Sequence, residues 1–127
     1  MQRQIISTEN APAAIGPYSQ GVKASGTFVF TAGQIAIDPA TGEMVGRTIE
    51  EQTHQVLKNL RAVLRAAGAD LSDVVKTTVF LADLSHFARM NEVYQQYFRE
   101  NPPARSAFGG LNLPKGALIE MECIAVL

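Results

Sequence analysis

The chain has 127 residues, 46% of them hydrophobic and 18% charged, with 11 Lys and Arg against 12 Asp and Glu for a formal net charge of −1. That length fits a single domain over residues 1–127 with a core of its own, leaves no room for a separate cofactor domain, and the apolar content excludes a disordered chain. The basic residues are scattered, which argues against a nucleic-acid groove, while one cysteine (Cys123) and two separated histidines (His54, His86) give neither an internal disulfide nor a metal-ligand cluster.

The first residues, Met1 to Ser7, carry no long apolar region, and no apolar run approaches the roughly 20 residues needed to cross a bilayer. A cytoplasmic protein with no membrane partner is expected. Gln2 to Ser7 reads as a first strand. The segment Asn10 to Tyr18 holds two prolines and a glycine, which disfavour helix and suit a shaped loop with Tyr18 at its exit. Ser19–Ala24 and Thr27–Thr31 read as two strands around a Ser25-Gly26 turn, a hairpin. Asp38 to Gly42 is a second turn, and Thr48-Ile49-Glu50-Glu51 has the spacing of a capping box at a helix start. Val56, Leu60, Val63, Leu64 and Ala67 follow at helical spacing, and Gly68 suits the left-handed stop.

Val74–Ala82 is rich in β-branched residues and is expected to put Val75, Thr77, Val79 and Leu81 on one face. Ser85 is the expected cap of a second helix with a Phe87, Met90, Tyr94 and Tyr97 stripe that stops before Pro102. In the last strand, Leu118–Val126, Ile119, Met121, Cys123 and Ala125 alternate with Leu118, Glu120, Glu122 and Ile124. The order is strands, helix, strand, helix, strands, an α+β pattern of ββαβαββ type with both helices on one face. The second face would then expose Phe28, Phe30, Phe80, Leu118 and Ile124, too apolar to leave wet, which implies a symmetric oligomer.

The most informative stretch is Pro102 to Phe108 with Glu120 fifteen residues beyond Arg105. An arginine at a strand start can clamp a carboxylate through two parallel hydrogen bonds, and a glutamate can orient or deprotonate water. A hairpin of Ala104–Gly110 with Leu118–Val126 would set Arg105 roughly opposite Glu122 and diagonal to Glu120. For an arbitrary Arg and Glu the blander account is an exposed cross-strand ion pair worth well under ~1 kcal/mol. Tyr18 either meets a ligand or packs, Gly33 either admits a ligand or marks a bulge, and Asn91 either enters a site or faces solvent. Cys123, on an apolar face, reads as an inert thiol. No serine triad or phosphate-binding glycine loop is present.

The pieces Gly16-Pro17-Tyr18-Ser19-Gln20-Gly21, Thr31-Ala32-Gly33-Gln34-Ile35, Val75 to Phe80, Pro103-Ala104-Arg105-Ser106 and Leu113-Pro114-Lys115-Gly116 with Ile119-Glu120-Met121-Glu122 resemble, in order and spacing, the Rid family of reactive-intermediate (enamine/imine) deaminases. The resemblance implies a chorismate-mutase-like subunit, a homotrimer whose sheets form a central barrel, and ligand sites between subunits. It implies hydrolysis of 2-aminoacrylate and related imines to 2-oxo acids and ammonia without a cofactor. By motif, Arg105 would grip the substrate carboxylate, Glu120 position water and Tyr18 complete the pocket. Gly33 and Ala107 would line the pocket, and Asn91 matches an asparagine found nearby. A non-catalytic 2-oxo acid-binding protein and an RNA-cleaving translation inhibitor are the alternatives. This chain departs from many members at Ala107, where they carry cysteine, at Ala32, where they carry serine, and at Leu111, usually a small residue.

Overall fold

A computed structural model describes residues 2–127, Met1 of the single-domain reading lying outside it. Six strands and two helices follow in the order β1 (Gln2–Ile6), β2 (Gly21–Ser25), β3 (Phe28–Phe30), α1 (Ile49–Ala66), β4 (Val74–Leu81), α2 (Phe87–Tyr97), β5 (Ala104–Phe108) and β6 (Ile119–Val126). The order is therefore βββαβαββ, one strand more than the ββαβαββ pattern. Four strands form a mixed sheet, β3-β6-β4-β5, in which only β4 and β5 run parallel. β1 and β2 make a separate antiparallel ribbon, tied to the sheet by a bridge from Ser19 to Ala104.

Both hairpins expected from the sequence are replaced by longer-range pairings. At Ser25-Gly26 the chain does turn, but β2 pairs with β1 and β3 with β6. Gly26 has φ +144°, and Thr27 exchanges two 2.8 Å backbone hydrogen bonds with Leu127. A Cβ at Gly26 would overlap the Leu127 carbonyl, so glycine lets the chain leave the ribbon and lie against the C-terminus. Likewise β5 and β6 are not neighbours, because β4 lies between them: Thr77 is opposite Arg105 on one side and Cys123 on the other. The most β-branched strand takes the centre, where both edges and one face are covered, and α2 supplies the crossover that parallel β4 and β5 require.

The inward side of β4 is Val74, Thr77, Val79 and Leu81, because a bulge between Val74 and Lys76 takes Val75 out of the expected alternation. β6 buries Ile119, Met121, Cys123 and Ala125 as expected. Over them lies α1, opened by Thr48 and Glu51 in a reciprocal capping box and followed by Gly68 at φ +82°. Its buried residues include Val56, Leu57, Leu60 and Leu64, whereas Val63 and Ala67 stay exposed. α2 is preceded by a single 3₁₀ turn, and Asp83 rather than Ser85 caps it, its carboxylate accepting from Ser85 N at 2.9 Å.

With both helices on one side, the other face of the sheet is open. Phe30 is 69% exposed, Phe28 54% and Phe108 51%, and Phe80 stacks on Phe108 at 6.1 Å. Lys76, Glu120 and Glu122 stand among these rings, at register positions shared with Thr78 and Ile124.

Candidate active site

Arg105 projects from β5 toward the helix side. Phe87, Asn91 and Tyr94 lie at i, i+4 and i+7 on α2, so one helical stripe faces it. The Arg105 guanidinium donates from Nη1 to Asn91 Oδ1 at 2.6 Å, and its carbon sits 4.8 Å from the Tyr94 ring centroid, 5.2 Å from Phe87 and 5.5 Å from Tyr18. Burial pulls its pKa below the usual arginine value, with Tyr94 and Tyr18 opposing that shift. Arginine nevertheless remains a cation in proteins. Arg61, Arg65 and Arg89 all contact carboxylates, but among the described residues Arg105 has none within ion-pair distance. Tyr94 is locked by a 2.7 Å hydrogen bond between its hydroxyl and that of Thr77, and burial pushes its pKa up to about 12, so it is neutral beside the guanidinium.

Tyr18 comes from the loop between β1 and β2. The loop folds tightly, with Tyr18 N donating to Gly16 O at 2.8 Å, and the phenol oxygen accepts from Ile15 N at 3.3 Å. Because that bond uses a lone pair, the hydroxyl proton stays free to donate to a ligand. A Cβ on Gly16 would lie 3.7 Å from Arg105 Nη2, so the backbone of the loop closes on the guanidinium. Ser19 fixes the loop to the start of β5 through N to Pro103 O at 3.2 Å and Oγ to Pro102 O at 2.5 Å.

Gly33 and Glu120 form a second group. Thr31 N bonds Cys123 O and Gln34 pairs with Met121, so one extra residue is accommodated at Ala32-Gly33, the bulge reading of that glycine. A Cβ at Gly33 would overlap Glu120 Oε2; the glycine makes room for the carboxylate. Glu120 is opposite Phe80, and both belong to the open face of the sheet.

Within one chain, then, the Arg105–Glu120 juxtaposition expected from a β5/β6 hairpin does not form. Arg105 is level with Thr77 and Glu120 with Phe80, which separates them by about 10 Å along β4 and about 10 Å across two strand spacings, on opposite faces. Arg105, Tyr18, Asn91 and Ala107 make one group, with Ala107 beside Val79 on the Arg105 face, and Gly33 and Glu120 make the other. Phe87, Tyr94 and Gly16 were missed as site residues. The i, i+4, i+7 spacing with Asn91 was the available signal for the first two, hidden because aromatic residues at that spacing also make a core stripe.

A cleft of about 710 Å³, lined by Arg3, Arg61, Tyr97 and Arg99 among others, includes neither Arg105 nor Glu120. Cys123 is buried beside Thr31, and desolvation pushes its thiol up to about 11, so it is inert near neutrality. His54 Nδ1 and the Tyr97 hydroxyl, 2.6 Å apart, join α1 to α2. Among the described residues no group of three His, Cys, Asp or Glu could hold a metal, and no helix is long and apolar enough to cross a membrane.

A mixed α+β domain that holds a half-buried guanidinium among aromatic rings, with no carboxylate partner among the described residues, has the chemistry to bind a small anion. The family model described as Endoribonuclease L-PSP matches residues 8–127. A RutC family protein of Pyrococcus abyssi is 58% identical over 125 residues, covering 98% of both chains. The human 2-iminobutanoate/2-iminopropanoate deaminase is 49% identical over 124 residues, 98% of this chain and 90% of that protein. The crystal structure of Escherichia coli TdcF with bound serine superposes with a TM-score of 0.75 at 45% identity, covering 98% of each chain. The chain belongs to this family, the RidA/YjgF-like proteins.

Proposed function

We propose that the protein is a cytoplasmic, cofactor-independent deaminase that hydrolyses small 2-imino acids, and their enamine tautomers, to 2-oxo acids and ammonia. The observation that carries this reading is the Arg105 guanidinium, held by Asn91, flanked by three rings and lacking a carboxylate of its own. A desolvated cation without a counter-charge is a receptor for an anion, and a planar carboxylate matches its two-pronged geometry.

The second half of the site comes, on this reading, from another copy. Packing open sheet faces together as a homotrimeric barrel of the chorismate-mutase-like type would cover Phe28, Phe30 and Phe108 and bring Gly33 and Glu120 of one copy to Arg105, Tyr18, Asn91 and Ala107 of the next. The separation of the two groups on opposite faces supports this, since neither half holds both a carboxylate grip and a group able to handle water.

In the composite site Arg105 holds the substrate carboxylate, with the Tyr18 hydroxyl free to add a hydrogen bond. The imine carbon is already electrophilic, so positioning does most of the work. Glu120 accepts a proton as water adds its oxygen to that carbon, giving a carbinolamine, and delivers the proton to nitrogen. Glu120 then takes the hydroxyl proton and passes it to the NH₂ nitrogen, so that the C–N bond breaks, ammonia leaves and the C=O bond of the 2-oxo acid forms. Ala107 in place of a thiol leaves this sequence intact, because no sulfur enters it.

The test is imine hydrolysis, with imines generated by an amino-acid oxidase and trapped competitively by semicarbazide. Losing two charge-assisted hydrogen bonds at ~1.5 kcal/mol each, Arg105→Ala should lower kcat/KM by about 10²-fold. Unchanged turnover in that variant refutes the assignment, and tight binding of 2-oxobutanoate by a wild-type protein with no turnover would identify a non-catalytic 2-oxo acid-binding protein instead.

A further inference from the structure

The loop that carries Gly16 and Tyr18 to Arg105 spans residues 7–20, between β1 and β2, and has little regular structure of its own. Its shape is held largely by one side chain. Gln20, just before β2, accepts at Oε1 from Thr8 N at 2.7 Å, and its Nε2 donates to Pro12 O at 2.6 Å, Thr8 O at 3.1 Å and Ala11 O at 3.3 Å. The amide orientation is fixed by this pattern, because the flipped group would set its oxygen against three carbonyls and its NH₂ against an N–H. With Ser19 bonded to Pro102 and Pro103, the two residues after Tyr18 clamp opposite sides of the loop, one to the body of the protein and one to the loop's own first half.

We propose that Gln20 is a positioning residue of the deaminase site, acting through the Thr8–Pro12 backbone to hold Ile15, Gly16 and Tyr18 against Arg105. Gln20 touches no reacting atom. Ile15 N is the donor that orients the Tyr18 hydroxyl, so loosening the loop upstream of Ile15 loosens the phenol as well. The hydrogen bonds lie at the surface, where each contributes little to global stability, so their loss frees the loop before it unfolds the domain. The assignment rests on the deaminase reading for its catalytic consequence, whereas its physical premise stands apart from any activity.

The experiment compares wild type with Gln20→Ala, Gln20→Glu, Tyr18→Ala and the double variant Gln20→Ala/Tyr18→Ala. Hydrogen exchange of the 8–18 amides should rise at least tenfold in Gln20→Ala while the β4 and β6 amides are unchanged. KM for 2-iminopropanoate should rise about tenfold with kcat altered less than twofold, because the carboxylate grip is what the loop completes. Gln20→Glu keeps the shape and the Thr8 N acceptor but turns oxygen toward three carbonyls, so it should not rescue KM. In the Tyr18→Ala background, Gln20→Ala should change kcat/KM less than twofold. The proposal is overturned if exchange in the loop is unchanged, if the two substitutions multiply independently, or if lost activity follows only the fraction of unfolded protein. A wild-type protein inactive on imines, with loop exchange still controlled by Gln20, would instead refute the deaminase reading and leave Gln20 as the organiser of the loop.

Discussion

Replacing Gly33 by alanine puts the mechanism under direct strain at a place where the backbone should tolerate the change. The φ of Gly33 lies outside the left-handed region, so an L-residue meets no conformational penalty. The new methyl, however, would overlap Glu120 Oε2 and stand 3.0 Å from Cδ and 3.2 Å from Cγ. Swinging the carboxylate about its last torsion clears the oxygen but leaves both carbons too close, so an inner torsion must change and the carboxylate must shift by on the order of 1 Å, a displacement of the size that costs about 10²-fold in a well-positioned site. The strain in a displaced side chain is about 0.5–1.5 kcal/mol, and the loss of unfolded-state freedom on replacing glycine returns about 0.4–1 kcal/mol, so stability should barely move. The assay is steady-state hydrolysis of 2-iminobutanoate beside a thermal melt. Gly33→Ala should drop kcat about 100-fold, change KM less than threefold and shift Tm by no more than a few degrees. Wild-type kcat with a folded protein would show that the Glu120 carboxylate, as placed against Gly33, is not the group that handles water.

Phe30→Asp puts a charge on the most exposed ring of the open face; sedimentation should show a folded monomer of 13.7 kDa, inactive because its half-sites are apart, and full activity in that monomer would refute the composite site. Asn91→Ala removes the acceptor from Arg105 Nη1, and at roughly 1.5 kcal/mol for a charge-assisted hydrogen bond KM should rise about tenfold with kcat nearly unchanged. Burial raises the pKa of Asp70, but Leu71 N–H and then Arg65 and Arg61 outweigh it, leaving the carboxyl below its usual value. A depressed carboxylate stabilises the fold above its unfolded pKa of about 3.9 and loses that contribution as pH falls through the folded value. Asp70→Asn should therefore melt below wild type at pH 7, with the gap closing under about pH 4 in thermal melts across pH.

Local signals in the sequence translated directly into structure. Thr48 and Glu51 start α1 because their reciprocal hydrogen bonds need only four residues, and β6 shows its faces because alternation is intrinsic to a strand. Pairing was illegible because strand order is decided by non-local competition: β4 displaced β5 from the side of β6, and the C-terminus drew Thr27 away from β2. This error governed the site. The parity of Arg105 and that of Glu120 can each be read along its own strand, but whether they share a face depends on the register of both with β4, which no local feature encodes. Asn91 was ambiguous for a related reason, since an amide on a helix is assigned to solvent or to a site only once the arginine opposite it is known.

The family model is described as an endoribonuclease, whereas curated relatives are named as imine deaminases, and the distribution of cations bears on which chemistry suits this chain. RNA binding draws on many phosphate contacts, each adding to a steep salt dependence. Here Arg61 and Arg65 converge on Asp70, Arg89 is held by Glu50, and the Arg3 guanidinium donates to the carbonyls of Ser72 and Asn101. A polyanion would have to displace these partners to use those four cations, on a protein of net charge −1 whose other basic residues are scattered along the chain. Arg105, by contrast, is half-buried among rings and oriented by Asn91, with no carboxylate partner among the described residues, which fits the proposed grip on one compact carboxylate. On the proposed reading the carboxylate that handles water comes from a second copy, because Glu120 of the same chain lies on the opposite face of the sheet from Arg105 and cannot reach a ligand held there.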